Sequence, residues 1–183
     1  RAFTPSETWQ QWLHFRQTIE DSPSFHVLLP GEKIDPTQTE KVQLLLHLEG
    51  AHPIEEPAGL EQFVAFGGQA LTLTWNTANQ YAGGALSKGG LSDLGKEFLA
   101  EMERLGVLLD VSHLNKTSFW DVLEVYRGPI MASHSNAREL VDSPRNLTKR
   151  QLHALRERPS WVGVSFARSH LTTHRQSTVD DVV

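Results

Sequence analysis

Two short apolar segments of this chain end in the same dipeptide, Ser-His. They are Val107–His113 and Pro129–His134, and a segment with helical character, Lys116–Tyr126, separates them. Barrels of parallel βα units build their active sites at the carboxyl ends of the strands, and neutral imidazole is the commonest protein ligand for transition metals. A strand, a helix and a second strand with histidine at the same end of each strand therefore predict parallel βα units that carry a metal site.

Hydrophobic periodicity extends this alternation of strands and helices over most of the chain. The clearest element is the helix Leu91–Leu105, which Ser92 caps and Gly106 ends. Turn-forming residues predict irregular structure at Pro23–Pro36 and a long loop at Asn76–Gly90. Strands are predicted at Lys41–Glu49, Gln69–Trp75, Val107–Ser112, Pro129–Ser133 and Trp161–Phe166. Helices are predicted at residues 5–20, Pro57–Phe66, Leu91–Leu105, Lys116–Tyr126 and Thr148–Glu157, with a further helix starting at Thr178.

This order of elements places the chain in the α/β class with a parallel sheet. Five strands are too few to close a TIM-like (β/α)8 barrel, and a half-barrel leaves long unpaired strand edges. Two architectures therefore fit the pattern. One is an open α/β sheet, and the other is a partial TIM-like barrel of about five βα units that belongs to a larger chain.

Composition excludes several classes of protein and several kinds of metal site. The 183 residues suit one domain, residues 1–183, and a net charge of −5 argues against a nucleic-acid partner. The lack of cysteine excludes disulfides and thiolate ligands, so histidines and carboxylates must hold any metal. No apolar run approaches the ~18 residues of a membrane span, and the sequence opens with neither a signal-peptide pattern nor an initiator Met. Nothing reports a compartment, which leaves the cytoplasm as the default.

Three candidate metal ligands stand at the ends of predicted strands: Glu49, His113 and His134. In a parallel sheet these side chains converge at one edge, and two imidazoles with one carboxylate suit zinc or another borderline divalent ion. A carboxylate can also bridge two metals in hydrolases that activate water and polarise a scissile carbonyl. Because the three residues are scattered along the chain, a structural role for either histidine stays open at this point.

The chain resembles the renal, or membrane, dipeptidases, which are binuclear zinc βα-barrels of peptidase family M19. The resemblance runs from about Leu44 to Phe166, over most of the chain but only the central portion of the family's barrel. The motifs that carry it are His47–His52, Ala70–Asn76, Gly90–Lys96, Gly106–His113, Pro129–Asn136 and Arg145–Thr148.

This resemblance implies a role for each matching residue. Glu49 matches the glutamate that bridges two zinc ions, and His113 and His134 match the histidines that bind one of them. Arg145 matches the arginine that holds the terminal carboxylate of the substrate, a task that suits a planar guanidinium because it pairs with both carboxylate oxygens. The implied activity is zinc-dependent hydrolysis of dipeptides.

Two further residues are candidates with open alternatives. Trp75 stands where the mammalian enzymes have a histidine that contacts the substrate; it lines the substrate pocket or packs as an ordinary loop aromatic. Asp110 lies inside an apolar strand, where an acid needs a partner, so it either orients a metal ligand from behind or has a purely structural hydrogen-bonding role.

The sequence also departs from the family pattern. It has no His-x-Asp, which supplies ligands to the other zinc, and it stops before the strand whose aspartate handles protons. The stretch Thr178–Val183 is similar to the start of the helix before that strand. We therefore expect the first and last barrel strands to lie outside this chain, which should bind at most one zinc and be inactive or nearly so alone. Pairing of its open edges would make a homo-oligomer.

Two other functions fit the same residues. One is a different metallohydrolase on this fold, acting on a lactone, a cyclic amide or an aminated base, because a two-metal barrel site supports many hydrolyses. The other is a barrel without catalytic activity, kept as a scaffold or accessory protein. Arg145 separates the dipeptidase from a lactonase, since a dipeptidase needs a group that binds the substrate carboxylate.

Overall fold

The structure is a computed structural model that describes residues 4–174 and 176–182. Helices and strands alternate along most of this length, as the hydrophobic periodicity predicts. The helices are α1 (Pro5–Glu20), α2 (Gly59–Ala65), α3 (Asp93–Leu105), α4 (Lys116–Val125), α5 (Lys149–Arg156) and α6 (Arg168–Leu171), followed by a 3₁₀ turn at Val179–Asp181. The strands are β1 (Phe25–Val27), β2 (Val42–Leu44), β3 (Leu46–Leu48), β4 (Gly68–Thr72), β5 (Leu108–Asp110), β6 (Ile130–Ala132) and β7 (Ser160–Val162).

The main sheet has five parallel strands in the order β3-β4-β5-β6-β7, which is also their order along the chain. Helices α3, α4 and α5 connect successive strands from β4 to β7, so each connection is a βα unit. The predicted parallel α/β arrangement is therefore confirmed. Because all five strands run in the same direction, their carboxyl ends meet at one edge of the sheet.

One strand prediction is wrong. The segment Lys41–Glu49 forms two strands, because β2 pairs with β1 in a separate two-stranded sheet while β3 pairs with β4. Strand β1 lies within the stretch predicted as irregular, Pro23–Pro36. Its three residues are too few to show a periodic pattern, and its partner lies well over ten residues further along the chain.

Two predictions near the carboxyl-terminal part of the chain need smaller corrections. The strand expected at Trp161–Phe166 occupies only Ser160–Val162, and the helix expected from Thr178 is a single 3₁₀ turn, with Val183 outside the described residues. Backbone pairing with the neighbouring segment continues irregularly past β7, where Gly163 donates to Ala132 O at 2.8 Å. A side chain at Gly163 would collide with the Ser133 carbonyl oxygen, so glycine is needed for this close approach.

The hydrophobic core lies between the sheet and its helices. Helix α3 packs Phe98 and Met102 into this core. The predicted caps of α3 are confirmed, because Ser92 accepts a hydrogen bond from Gly95 N at 2.9 Å and Gly106 ends the helix with a φ of 71°. Strand residues from β4 to β6 fill the other side of the same cluster. Among residues 4–174 and 176–182, no helix has the length and apolar character needed to cross a bilayer.

Candidate metal site

The two Ser-His dipeptides lie side by side at the carboxyl edge of the sheet. Strands β5 and β6 pair Asp110 with Met131, and the same register leads Ser112 to the level of Ser133. The hydroxyl oxygens of these serines are 3.5 Å apart, and the histidine rings that follow them are 4.9 Å apart between centroids. The parallel pairing of the strands thus turns a repeat in the sequence into a pair of neighbouring imidazoles.

The three predicted metal ligands meet at this edge. Glu49 directly follows β3, and its Oε1 lies 2.7 Å from His113 Nε2 and 3.2 Å from His134 Nε2. The two Nε2 atoms are 2.9 Å apart. In the part of the chain that the structure describes, these residues are the only set of three or more acids and histidines whose ligand atoms lie within 4.8 Å of one another.

His113 occupies its position with an unusual backbone. Its φ is 71°, the only positive φ of a residue other than glycine among the described residues. The left-handed conformation costs about 1–2 kcal/mol for a residue with a Cβ, and such strain persists where the surroundings over-determine it. The His113 carbonyl accepts from Ala85 N at 2.7 Å and Thr74 Oγ1 at 3.3 Å, and the side chain is 5% exposed.

Asp110 is fully buried at the end of β5 and holds the strand ends together. Its Oδ1 accepts from the backbone N–H groups of Ser112 and Ser133 at 2.9 and 3.0 Å. Its Oδ2 accepts from the Ser133 hydroxyl and lies 3.1 Å from His47 Nε2. A single carboxylate therefore contacts His47 on β3, Ser112 just beyond β5 and Ser133 just beyond β6. The same three strands position the three candidate ligands.

The far side of each imidazole faces an oxygen atom. His113 Nδ1 lies 2.9 Å from Asn76 Oδ1, and His134 Nδ1 lies 2.6 Å from Ser133 Oγ. An amide oxygen only accepts hydrogen bonds, so His113 Nδ1 donates to it. Neutral imidazole has one N–H, which leaves a lone pair on His113 Nε2 that points toward the Glu49 carboxylate.

The electrostatics of the site favour the protonation states that bind metal. The neighbouring imidazole of His113, and next that of His134, hold the pKa of the Glu49 carboxyl well below its usual range. Burial lowers the pKa of His113, which favours its neutral form. Burial alone would raise the pKa of Asp110, but the nearby His47 imidazole and the Ser133 hydroxyl outweigh it and lower this pKa. Both carboxyl groups are therefore held in their charged form.

The donor set fits a divalent cation. Lone pairs and negative charge that converge within 2.7–3.2 Å repel one another unless a cation or proton lies between them. Zinc takes imidazole and carboxylate ligands at about 2.0–2.2 Å, which sets two tetrahedral nitrogen ligands about 3.3 Å apart. The nitrogen separation of 2.9 Å needs to open by only about 0.4 Å to match this geometry.

Arg145 lines the same small cavity as His113. The side chain is buried, and its Nη2 is a buried atom without a hydrogen-bond partner among the described residues. It lines a small cavity together with His113, Ser135 and Asn146. Burial lowers the pKa of Arg145, but a guanidinium stays charged in proteins. A buried guanidinium with an unused donor has the chemistry to bind an anion such as a carboxylate.

Trp75 is also a neighbour of His113. It follows β4, its ring centroid is 6.1 Å from that of His113, and its side chain is exposed. It thus borders the candidate site without being part of the core. Sequence reasoning did not assign His47, Asn76 or Ser133 to the site, although each contacts a candidate ligand or Asp110. A polar side chain in or beside an apolar strand is the signal that could have found His47 and Ser133.

Comparison with known proteins shows what this chain is similar to. The model of the membrane dipeptidase family, peptidase family M19, matches residues 4–183. An uncharacterized protein in the pqqA 5′ region of Klebsiella pneumoniae is 33% identical over 174 residues, which are 89% of this chain and 64% of that protein.

Two solved structures are similar in fold. The metallo peptidase of Rhodobacter sphaeroides, liganded with a phosphinate mimic of the dipeptide L-Ala-D-Ala, has a TM-score of 0.71 and 32% identity; 76% of this chain and 44% of that chain are covered. An amidohydrolase of Pseudomonas aeruginosa has a TM-score of 0.89 and 24% identity, with 98% of this chain and 56% of that chain covered, which shows the fold alone.

This chain spans between 44% and 64% of the length of these three proteins. Its parallel βα units correspond to part of a TIM-like barrel, so the prediction of a partial barrel is confirmed, and the open α/β sheet is not needed to explain the fold. The match of the family model over residues 4–183 shows that the chain belongs to the membrane dipeptidase family, peptidase family M19.

Proposed function

We propose that this chain is part of a metal-dependent dipeptidase, with zinc or a similar divalent ion held by Glu49, His113 and His134. The observation that supports this most strongly is the convergence of these three donors beside Arg145, whose buried Nη2 has no partner among the described residues. A divalent ion in such a site supplies Lewis-acid activation of water and of a carbonyl group. Side chains of this protein would bind and orient the substrate.

Arg145 binds the carboxylate of the substrate in this proposal. Because Arg145 and His113 line one cavity, a carboxylate bound to the guanidinium would lie near the metal, which suits a short peptide. The Rhodobacter sphaeroides metallo peptidase, which is 32% identical, was crystallised with a dipeptide mimic, and this supports the same substrate class here. A buried guanidinium whose Nη2 has no hydrogen-bond partner among the described residues also favours a substrate with a carboxylate over a lactone or a cyclic amide.

Glu49 and Trp75 complete the site. Both imidazole contacts of Glu49 are made by Oε1, so a role as a bridge between two ions would use Oε2 as the second ligand. The Glu49 side chain is 47% exposed, and this places it at the open side of the pair of histidines. Trp75 forms an exposed aromatic wall next to His113, where it would contact the side chain of a bound peptide.

Zinc titration of the purified chain tests the metal site. We expect one tightly bound ion, with affinity reduced more than about 100-fold in both His113→Ala and His134→Ala, which exceeds the loss usual for residues outside the ligand set. His153→Ala, which removes a histidine of helix α5, is the matched control and should bind zinc like the wild type. Two tight ions, or none in the wild type, would contradict the proposed ligand set.

Peptide binding tests the role of Arg145 separately. The zinc-loaded chain should bind Ala-Ala about 10–100-fold more tightly than the C-terminal amide of the same dipeptide, because hydrogen bonds to a charged partner contribute about 1.5–3 kcal/mol. Arg145→Gln should remove this preference and leave zinc affinity unchanged, since Arg145 is not among the ligands. A preference that survives in Arg145→Gln would assign the carboxylate to another residue.

A further inference from the structure

The two serines that precede the histidines have different partners. Ser112 Oγ accepts from the backbone N–H of His134 at 3.3 Å. Ser133 Oγ lies 2.6 Å from the imidazole Nδ1 of His134 and also contacts Asp110 Oδ2. Of the pair, Ser133 therefore makes the contact with a ring that carries a candidate ligand atom.

The direction of these hydrogen bonds follows from counting protons. The Asp110 carboxylate already accepts two backbone N–H groups at Oδ1, so Oδ2 is the acceptor for the Ser133 hydroxyl. A hydroxyl has a single proton, and Ser133 uses it to donate a hydrogen bond to Asp110. Its oxygen then accepts from His134 Nδ1–H, and the lone pair of that ring is left on Nε2, which faces Glu49 and His113.

We propose that Ser133 is a positioning residue that links Asp110 to the His134 ring and thereby directs the Nε2 lone pair toward the metal. The inference rests on the metal site of the proposed function and adds a residue that acts through His134. A ligating histidine is commonly oriented by an acceptor at its other nitrogen, and loss of that partner weakens metal binding about 10–100-fold. Here a hydroxyl stands between the carboxylate and the ring.

Several contacts hold the Asp110 carboxylate in place. Asp110 is fully buried, and besides the two backbone N–H groups it lies 3.1 Å from His47 Nε2. His47 belongs to β3, two residues before Glu49. A shift of Ser133 would therefore disturb contacts to β3 and β5 as well, which limits the freedom of the His134 ring.

Zinc affinity of two matched variants gives the first test. Ser133→Ala should bind zinc about 10–100-fold more weakly than the wild type. Ser112→Ala removes an adjacent hydroxyl whose partners among the described residues are the His134 backbone N–H at 3.3 Å and Ser133, and we expect a change below about threefold. Urea unfolding of both metal-free variants checks that they fold equally well. Equal zinc affinities for the two variants would overturn the proposal.

Imidazole NMR gives a second readout that does not depend on catalysis. With ¹⁵N-labelled histidine, the Nδ1 proton of His134 should exchange slowly with water in the wild type and in Ser112→Ala, and rapidly in Ser133→Ala. The Nδ1 proton of His113, which bonds to Asn76, should be unchanged in all three. A His134 Nδ1 without a proton, or with the same exchange rate in Ser133→Ala, would also overturn the proposal.

The two proposals fail in different ways. If the wild type binds no zinc, the proposed metal site is wrong, while the exchange measurement on metal-free protein still decides whether Ser133 holds the ring. If zinc binds and the His113→Ala and His134→Ala variants lose it, but Ser133→Ala matches Ser112→Ala, the site stands and the positioning role of Ser133 is wrong.

Discussion

His113 and His134 share a sequence context and a level in the sheet, but the protein fixes the two rings by different means. His113 is 5% exposed, has a strained backbone and is bonded to the neutral amide of Asn76. His134 is 33% exposed, has no positive φ, and is bonded to a serine that is linked to a buried carboxylate. A repeated dipeptide therefore specifies where two imidazoles lie, whereas their orientation depends on residues elsewhere in the chain.

We call His113 with Asn76 the His113 side of the site, and His134 with Ser133 and Asp110 the His134 side. The largest expected difference between these two sides concerns Asp110. Asp110→Ala leaves a buried backbone N–H group, a partly buried one and the Ser133 hydroxyl without their acceptor, so we expect it to lower the free energy of unfolding by about 3 kcal/mol or more. Asn76→Ala removes a partly exposed amide on the His113 side and should cost about 1 kcal/mol or less. Urea unfolding of the metal-free proteins measures both.

Asp110→Asn provides a variant that keeps the shape of the side chain. It retains one oxygen for the two backbone donors and loses the charge, so its loss should fall between those of Asp110→Ala and Asn76→Ala. Equal losses for Asp110→Ala and Asn76→Ala would show that the His134 side is no more dependent on a buried acceptor than the His113 side.

The second prediction concerns the weaker support of His113. Asn76→Ala removes the acceptor of its Nδ1, and zinc affinity should fall about tenfold, at the lower end of the usual range because the partner is neutral. Asn79→Ala is the control, since this neighbouring asparagine bonds to backbone groups of its own loop and to Leu73 O. A loss for Asn76→Ala larger than that for Ser133→Ala would reverse the proposed ranking of the two sides.

Much of this site could be predicted from sequence because its ligands follow strands with strong apolar patterns. Glu49, His134 and His113 lie one, two and three residues beyond the ends of such strands, and parallel pairing brings these strand ends together. The supporting residues were missed for physical reasons. Asn76 reaches His113 over 37 positions of sequence, and nothing local in the sequence specifies that distance.

His47 and Ser133 were visible in the sequence without being recognised. His47 interrupts the apolar strand β3, but its partner Asp110 lies on β5, two strands away in the sheet order. Ser133 belongs to the repeated Ser-His motif, in which both serines look equivalent. Only the three-dimensional structure shows that one hydroxyl bonds to a ring and the other to a backbone N–H. The direction of each hydrogen bond depends on a partner more than twenty positions away, which the local sequence cannot reveal.

The smallest predicted effect separates the backbones of the two histidines. At position 113 the positive φ strains any residue with a Cβ, so His113→Gly should be more stable than His113→Ala by about 1 kcal/mol. At position 134 φ is not positive, and the extra flexibility of glycine should make His134→Gly less stable than His134→Ala by about 0.5–1 kcal/mol. Each comparison removes the imidazole from both variants, so the difference reports the backbone alone. Urea unfolding of the four metal-free variants should show opposite signs at the two positions, and the same sign at both would mean that the left-handed backbone of His113 is not a distinguishing feature of its side of the site.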